Sequence, residues 1–250
     1  EFGTQVGNIP ITSVQNNAIL PVPYFVAENY SFEDSLLIEV KSPLNKKMNF
    51  IVNINGKTQQ YDGPFWLKET SLIEATIINE RDQESLPAIG TFKKRDKNMT
   101  IIDLSAYANQ YAGGGKQALV DGIDGGSDYR TGFWQGVQGT DYFITIDRGR
   151  QRPINQVTIG CFQDIKSWIW FPKEIEIYTS NDNINFTLST TITNDFSRES
   201  FGNFKHDFET SLKGNARYIK INAVYPGDCP QWHLGAGGKA WIFMDEVTID

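Results

Sequence analysis

Chemistry in this chain concentrates in two short stretches. The first, residues 112–136 (AGGGKQALVDGIDGGSDYRTGFWQG), crowds glycines around Asp121, Asp124 and Asp128 and closes on Arg130, Phe133 and Trp134. It has neither strand nor helix period. Where side chains are small and φ is free, backbone oxygens can approach a cation, and the run reads as a functional loop. The second, residues 226–246 (PGDCPQWHLGAGGKAWIFMDE), sets Trp232, His233, Trp241 and Glu246 among further glycines. The two stretches are expected to meet in space. Catalytic signatures are missing from both. A Ser-His-Asp hydrolase would need G-x-S-x-G, which is absent. A zinc site would need clustered His and Cys, whereas this chain has two of each, and Cys161 and His206 lie far in sequence from Cys229 and His233. The two cysteines fit either free thiols or one bridge.

The elements that must position these residues are strands. From Pro21 the segments YFVAENYSF, SLLIEVKS, MNFIVNING and SLIEATIIN alternate apolar with polar residues and are separated by Pro, Gly, Asn and Asp. Asn55-Gly56 is a strong hairpin signal. About six or seven such strands predict a small immunoglobulin-like sandwich over residues 21–97. Its acids Glu28, Glu33, Asp34, Glu39 and Glu74 alternate with apolar neighbours and read as a solvated face. The charged run Lys93-Lys94-Arg95-Asp96-Lys97 marks a boundary. Beyond it, MTIIDLSAY, DYFITIDRG, INQVTIGCF, WIWFPKEIEIYTSNDNINFTLSTTIT with a turn at Ser180-Asn181-Asp182-Asn183, KHDFETSL, ARYIKINAVY and AWIFMDEVTID give about eight strands over residues 98–250. Together they predict a jelly-roll β-sandwich whose first and last strands are neighbours, which would carry the glycine-rich loop to Glu246. No βα alternation occurs, so the fold class is all-β. Residues 1–20 are polar with weak pattern and predict a flexible lead-in; Glu1-Phe2-Gly3-Thr4 reads as a cloning remnant, so the chain is expected to be a piece of a longer protein.

Composition narrows the partners. Net charge is −7 with no basic block, which argues against nucleic acid and anionic membranes. No apolar run approaches the ~20 residues of a membrane span, so membrane insertion is not expected. Of six tryptophans only Trp66 precedes residue 100, a bias a uniform core would not need. Trp134 and Trp241, flanked by apolar residues, read as core, Trp168 and Trp170 as alternating across a strand, and His206 as a surface residue.

The order ALVDGID through Trp134, DYFITIDRG, FPKEIEIYTSNDN, ARYIKINA and a closing DEV resembles the discoidin domain, also called coagulation factor 5/8 type C, and within it carbohydrate-binding module family 32. More narrowly, YAGGGKQALVDG, SWIWFPKE and CPQWHLGAGGKAWIFMDE are similar to the C-terminal module of bacterial family 20 β-hexosaminidases (chitobiases). YDGPFWLKETSLIEATI is similar to the small sandwich that precedes that module, although Asn55-Gly56-Lys57 stands where those proteins carry DG(S/T)-x-P.

The resemblance implies a discoidin-type sandwich with a structural calcium held by Asp121, Asp124 and Glu246, the carbonyl of Ala118 and a contribution from Thr131, although the insertion GGSDYR departs from the commoner spacing. It implies a non-catalytic fragment of a secreted or periplasmic bacterial β-N-acetylhexosaminidase, since the catalytic Asp-Glu pair of that family sits on a barrel absent here. Glycans containing N-acetylhexosamine or galactose are the implied ligand. Sugars are held by aromatic faces with planar polar groups at the rim, and loop-borne Trp168, Trp232, His233, Arg130 and Asp164 are of the right types. The alternative is that WHLGAGGKAW packs on the catalytic domain and binds no free sugar.

Overall fold

The structure, a computed structural model, describes residues 20–44 and 48–250. Apart from Leu20, the lead-in expected over residues 1–20 lies outside the described residues. The strands in chain order are β1 (Tyr24–Val26), β2 (Ser31–Phe32), β3 (Leu36–Lys41), β4 (Asn49–Ile54), β5 (Lys57–Gln60), β6 (Phe65–Leu67), β7 (Ser71–Ile78), β8 (Ala88–Lys94), β9 (Thr100–Leu104), β10 (Gln135–Gln138), β11 (Tyr142–Gln163), β12 (Glu174–Ser180), β13 (Thr187–Thr193), β14 (Phe204–Ala223) and β15 (Trp241–Ile249). The described residues contain no α-helix, only four single 3-10 turns. No helix among them is long and apolar enough to cross a membrane. The chain divides into two units: one of residues up to Glu28, Leu37–Leu67 and Ser71–Thr91, the other of Asn29–Leu36, Lys68–Thr70 and Phe92–Asp250.

In the first unit, β7 buries every second residue, as strict alternation requires. Antiparallel pairs β1–β3 and β5–β4–β7 face each other across Val40, Val52 and Ala75, with Phe25, Phe50, Ile54 and Tyr61 packed around them. Asn55 and Gly56 close the β4–β5 hairpin at φ of 51° and 83°, both left-handed, which is the turn that Asn-Gly favours.

In the second unit the order is β10-β15-β11-β14-β12-β13, with β9 on β11. Two strands expected on either side of Gly149 are one 22-residue strand, β11, and two more form the 20-residue β14. A register shift between Asp147 and Arg152 lets this pair bend, so one end of β11 pairs with β9 and the other with β15. Buried Arg148 holds the bend by donating to the carbonyls of Arg152, Pro153 and Ala216. The expected pairing of first and last strands is therefore replaced: β9 and β15 both lie on β11, at opposite ends. The folded sheet encloses Ile144, Ile146, Ile159, Ile175, Ile177, Ile219 and Ile221, all fully buried. Cys161 belongs to this core and Cys229 to a separate cluster with Ile165, Trp170 and Ala240; both thiols are free.

Candidate functional site

The acidic edge begins with a bulge. Register along β11–β15 passes from Ile159↔Val247 to Cys161↔Met244, so Asp245 and Glu246 together oppose Gly160. A bulge re-aims side chains that a regular strand would alternate, and Glu246 adopts φ of 57° to make it. Glycine is required opposite, because a methyl group at position 160 would collide with the Asp245 carbonyl oxygen. Onto this bulge folds the glycine-rich loop. Gly122 donates its N–H to Glu246 Oε2 at 2.9 Å, and Gly125 donates to Asp245 Oδ2. The carbonyl of Gly125 accepts from the indole of buried Trp134 at 2.9 Å. Gly125 again admits no side chain, since a methyl group would meet both the Trp134 ring and Asp245 Oδ2.

This edge crowds acids where burial disfavours their ionised forms. Asp245 is 1% exposed and its Oδ1 has no hydrogen-bond partner. Burial, with Glu246, Asp124 and Asp121 nearby, pushes its pKa up to about 8 despite the Gly125 N–H. Burial likewise carries Glu246 up to about 8, with Asp121 adding to the effect. Asp121 is raised by burial too, against the Ile123 N–H its carboxylate accepts. Burial also pushes Asp124 upward, but Lys205 bonds to it and, with Gly126 N–H and Lys93 3.6 Å away, leaves its pKa lowered. Of the expected cation set, Asp121 and Glu246 are brought together. Asp124 is taken up by lysines, and Thr131 Oγ1 donates to the carbonyls of Gly125 and Asp128. The Ala118 carbonyl faces the Asp121 N–H at 3.5 Å. Among the described residues no group of three or more His, Cys, Asp or Glu is spaced to hold a metal ion. Sequence reasoning missed Asp245. Its signal was an acid at the end of an apolar strand, AWIFMDEV, where alternation alone gives no reason for burial.

The indole end is built on glycine as well. Asp164 caps the 3-10 turn Ile165–Ser167, accepting from Lys166 N–H at 3.2 Å and Ser167 Oγ at 2.7 Å. Trp168 follows at φ of 65° and stays 37% exposed, while Trp170 is buried and donates to the Arg198 carbonyl. Only one of the two indoles faces out, as expected, but strand alternation does not produce the split, since residues two apart share a face; a left-handed turn residue points Trp168 outward. The Trp168 ring lies on the backbone of Gly235 and Gly238, where a methyl group would overlap it. His233 is buried at the centre, 5.8 Å from Trp232, 6.4 Å from Trp168 and 5.1 Å from Trp170 between ring centroids. Gly235 donates its N–H to Nδ1, so the ring proton sits on Nε2 and donates to the Ile165 carbonyl at 2.7 Å. Both ring nitrogens are thus engaged and both Asp164 carboxylate oxygens already accept a hydrogen bond, so these two residues position the indoles. Trp232 is 45% exposed beside Phe201. Arg130 is exposed and forked onto Asp128 at 2.9 and 3.0 Å; its neighbour Tyr129 reaches Ser167 Oγ at 3.1 Å, which links it to the same turn. Trp134 is core, and Trp241 is half-buried against Tyr111 and Phe243. His206 is half-buried among Phe171, Phe196 and Phe208, not a free surface residue.

The sequence profile of the F5/8 type C domain matches residues 103–239, more than half of the chain. The chain belongs to this family. The match takes in the glycine-rich loop and the indole end and stops before β15. No curated protein matches the chain. Among solved structures, the F5/8 type C domain is similar to a family 32 carbohydrate-binding module of a family 31 glycoside hydrolase from Clostridium perfringens (16% identity, 61% of this chain and 90% of that one, TM-score 0.42). It is similar to another family 32 module from Clostridium perfringens, in complex with galactose (17%, 61% and 93%, TM-score 0.38). A third is the C-terminal domain of a chitobiase from Bacteroides fragilis (18%, 62% and 93%, TM-score 0.37).

Proposed function

We propose that the F5/8 type C domain of this chain is a non-catalytic carbohydrate-binding module whose contact surface is formed by Trp168 and Trp232. One observation carries the reading: these two rings face solvent while the polar atoms of His233 and Asp164 beneath them are bonded within the protein. Rigid, partly exposed indoles suit the apolar C–H face of a pyranose ring, and the exposed guanidinium of Arg130 supplies donors at the rim. The parent is read as an exported bacterial β-N-acetylhexosaminidase, on the sequence likeness to chitobiase C-terminal modules. Titration with galactose, N-acetylglucosamine and chitobiose by NMR is expected to shift the indole N–H signals of Trp168 and Trp232, and Trp232→Ala should remove the binding. A second reading is favoured by Leu234, which is fully exposed two residues after Trp232, itself an exposed ring against exposed Phe201. There the same rim packs on the catalytic domain. Silence towards all three sugars, with retention of the chain on an immobilised catalytic domain, would select it.

The acidic edge is read as a structural calcium site. Asp121, Glu246 and the unpartnered oxygen of Asp245 are the side chains that would hold the ion, with loop carbonyls completing the oxygen set. Bound calcium would favour the ionised carboxylates over the neutral acids and tie loop to bulge. Chelation is expected to lower the melting temperature, because a ligand of the native state stabilises it by mass action. An unchanged melting curve in excess chelator counts against the site.

A further inference from the structure

The outer face of the folded sheet carries a second concave surface built from different residues. Register sets Phe143, Asn222 and Glu176 side by side across β11, β14 and β12, and Thr145, Lys220, Tyr178 and Leu188 in the next row but one residue along each strand pair. Their neighbours Ile144, Ile221 and Ile177 point into the core, so alternation turns the others of this set outward, although Thr145 is itself covered. Phe186, from the turn between β12 and β13, closes one side. The result is a cleft of about 310 Å³ lined by Phe143, Tyr178, Phe186, Lys220 and Asn222. That volume is at the lower limit for small-ligand sites.

Chemistry in the cleft is mixed and pre-organised. Tyr178 and Phe186 are both half-buried, with part of each ring open to solvent. Glu176 Oε2 accepts from the Tyr178 hydroxyl at 2.9 Å and from Asn222 Nδ2 at 3.0 Å, which fixes both side chains. Glu176 Oε1 and Asn222 Oδ1 make no further hydrogen bond among the described residues. Lys220, which lines the cleft, has its Nζ 5.2 Å from the centroid of Phe143. An ammonium and a carboxylate balance in charge, so the surface favours neither a cationic nor an anionic ligand. Scattered exposed aromatics need no explanation, but three converging on a cleft with an amide and an ammonium do.

We propose that this cleft is a second saccharide site, independent of the tryptophan end, which takes a neutral pyranose with Tyr178 and Phe186 against its C–H face and Asn222 and Lys220 reading its hydroxyls, while Glu176 holds Tyr178 and Asn222 in place. Two weak sites on one module would raise avidity for a polysaccharide without any tight single contact. The test is residue-resolved NMR of the full chain carrying Trp232→Ala, titrated with glucose, galactose, mannose, N-acetylglucosamine and N-acetylgalactosamine. Saturable shifts at the amides of Tyr178, Lys220 and Asn222 with at least one sugar are expected, and Phe186→Ala should weaken that response about tenfold. Tyr178→Phe, which keeps the ring and removes the hydroxyl, should weaken it less, and an unchanged melting temperature shows that either variant folds. No shift in the cleft with any of the five sugars overturns the proposal. Because signals at Trp168 in the parent chain report the other site separately, that site can fail while this one stands, or the reverse.

Discussion

The acidic edge and the indole end of the second unit use the same backbone device for opposite purposes. At each, glycine lets something approach that a side chain would exclude: Gly160 and Gly125 admit Asp245, and Gly235 and Gly238 admit the ring of Trp168. At the acidic edge the approach buries carboxylates and leaves Asp245 Oδ1 without a partner. At the indole end it satisfies every ring nitrogen of His233 and leaves apolar faces in solvent. Buried carboxyls are costly to ionise, a cost that a bound cation would relieve, whereas exposed rigid aromatic surface costs little and is available to a ligand. The first region should therefore govern stability and the second affinity.

The largest effect is expected from Gly160→Ala, which forces the bulge apart and should cost about 3 kcal/mol, or roughly 6–12 °C in melting temperature. Thermal unfolding reads it, and a wild-type melting temperature would show that the bulge is not what holds the edge. Next, Asp245→Asn keeps the acceptor for Gly125 and removes the carboxylate. It should change stability by no more than about 1 kcal/mol in chelator, yet abolish the stabilisation calcium confers. Equal calcium responses in the two proteins would break the contrast between the regions. At the indole end, Gly235→Ala should displace Trp168 and weaken sugar binding about tenfold, measured by calorimetry, with the indole still present. Retained affinity would mean the ring position is immaterial. The smallest effect belongs to an ion pair remote from both regions. Arg217 hydrogen-bonds Asp147 and holds its carboxyl below the usual range. A depressed carboxyl stabilises above its unfolded pKa of about 3.9 and loses that contribution as pH falls through the folded value. Arg217→Gln should thus lower the melting temperature slightly at pH 7 and not at about pH 2, in scans at both values.

Much of the site was legible because its residue types are unusual for their surroundings. Glycines and aspartates without period announced the loop, and the late cluster of tryptophans announced a surface rich in rings. Asp245 was not legible, since burial of an acid follows from a one-residue register shift that pattern does not reveal. Nor were the roles of His233 and Asp164. Each is the right type to meet a sugar, and each is bonded to backbone that becomes its neighbour only after folding. The cleft beside Tyr178 was hidden for a similar reason: Phe143, Glu176 and Asn222 are far apart in the chain and meet only across three strands.

Residue order alone determined that this chain is all-β, where its strands alternate and that Asn55-Gly56 turns a hairpin, because those properties depend on side chains a few positions apart. The bend that makes one strand of two, the bulge that turns Asp245 inward and the left-handed residue that turns Trp168 outward were decided by tertiary structure. Each depends on what a distant strand or glycine leaves room for, and that space exists only once the sheet has closed.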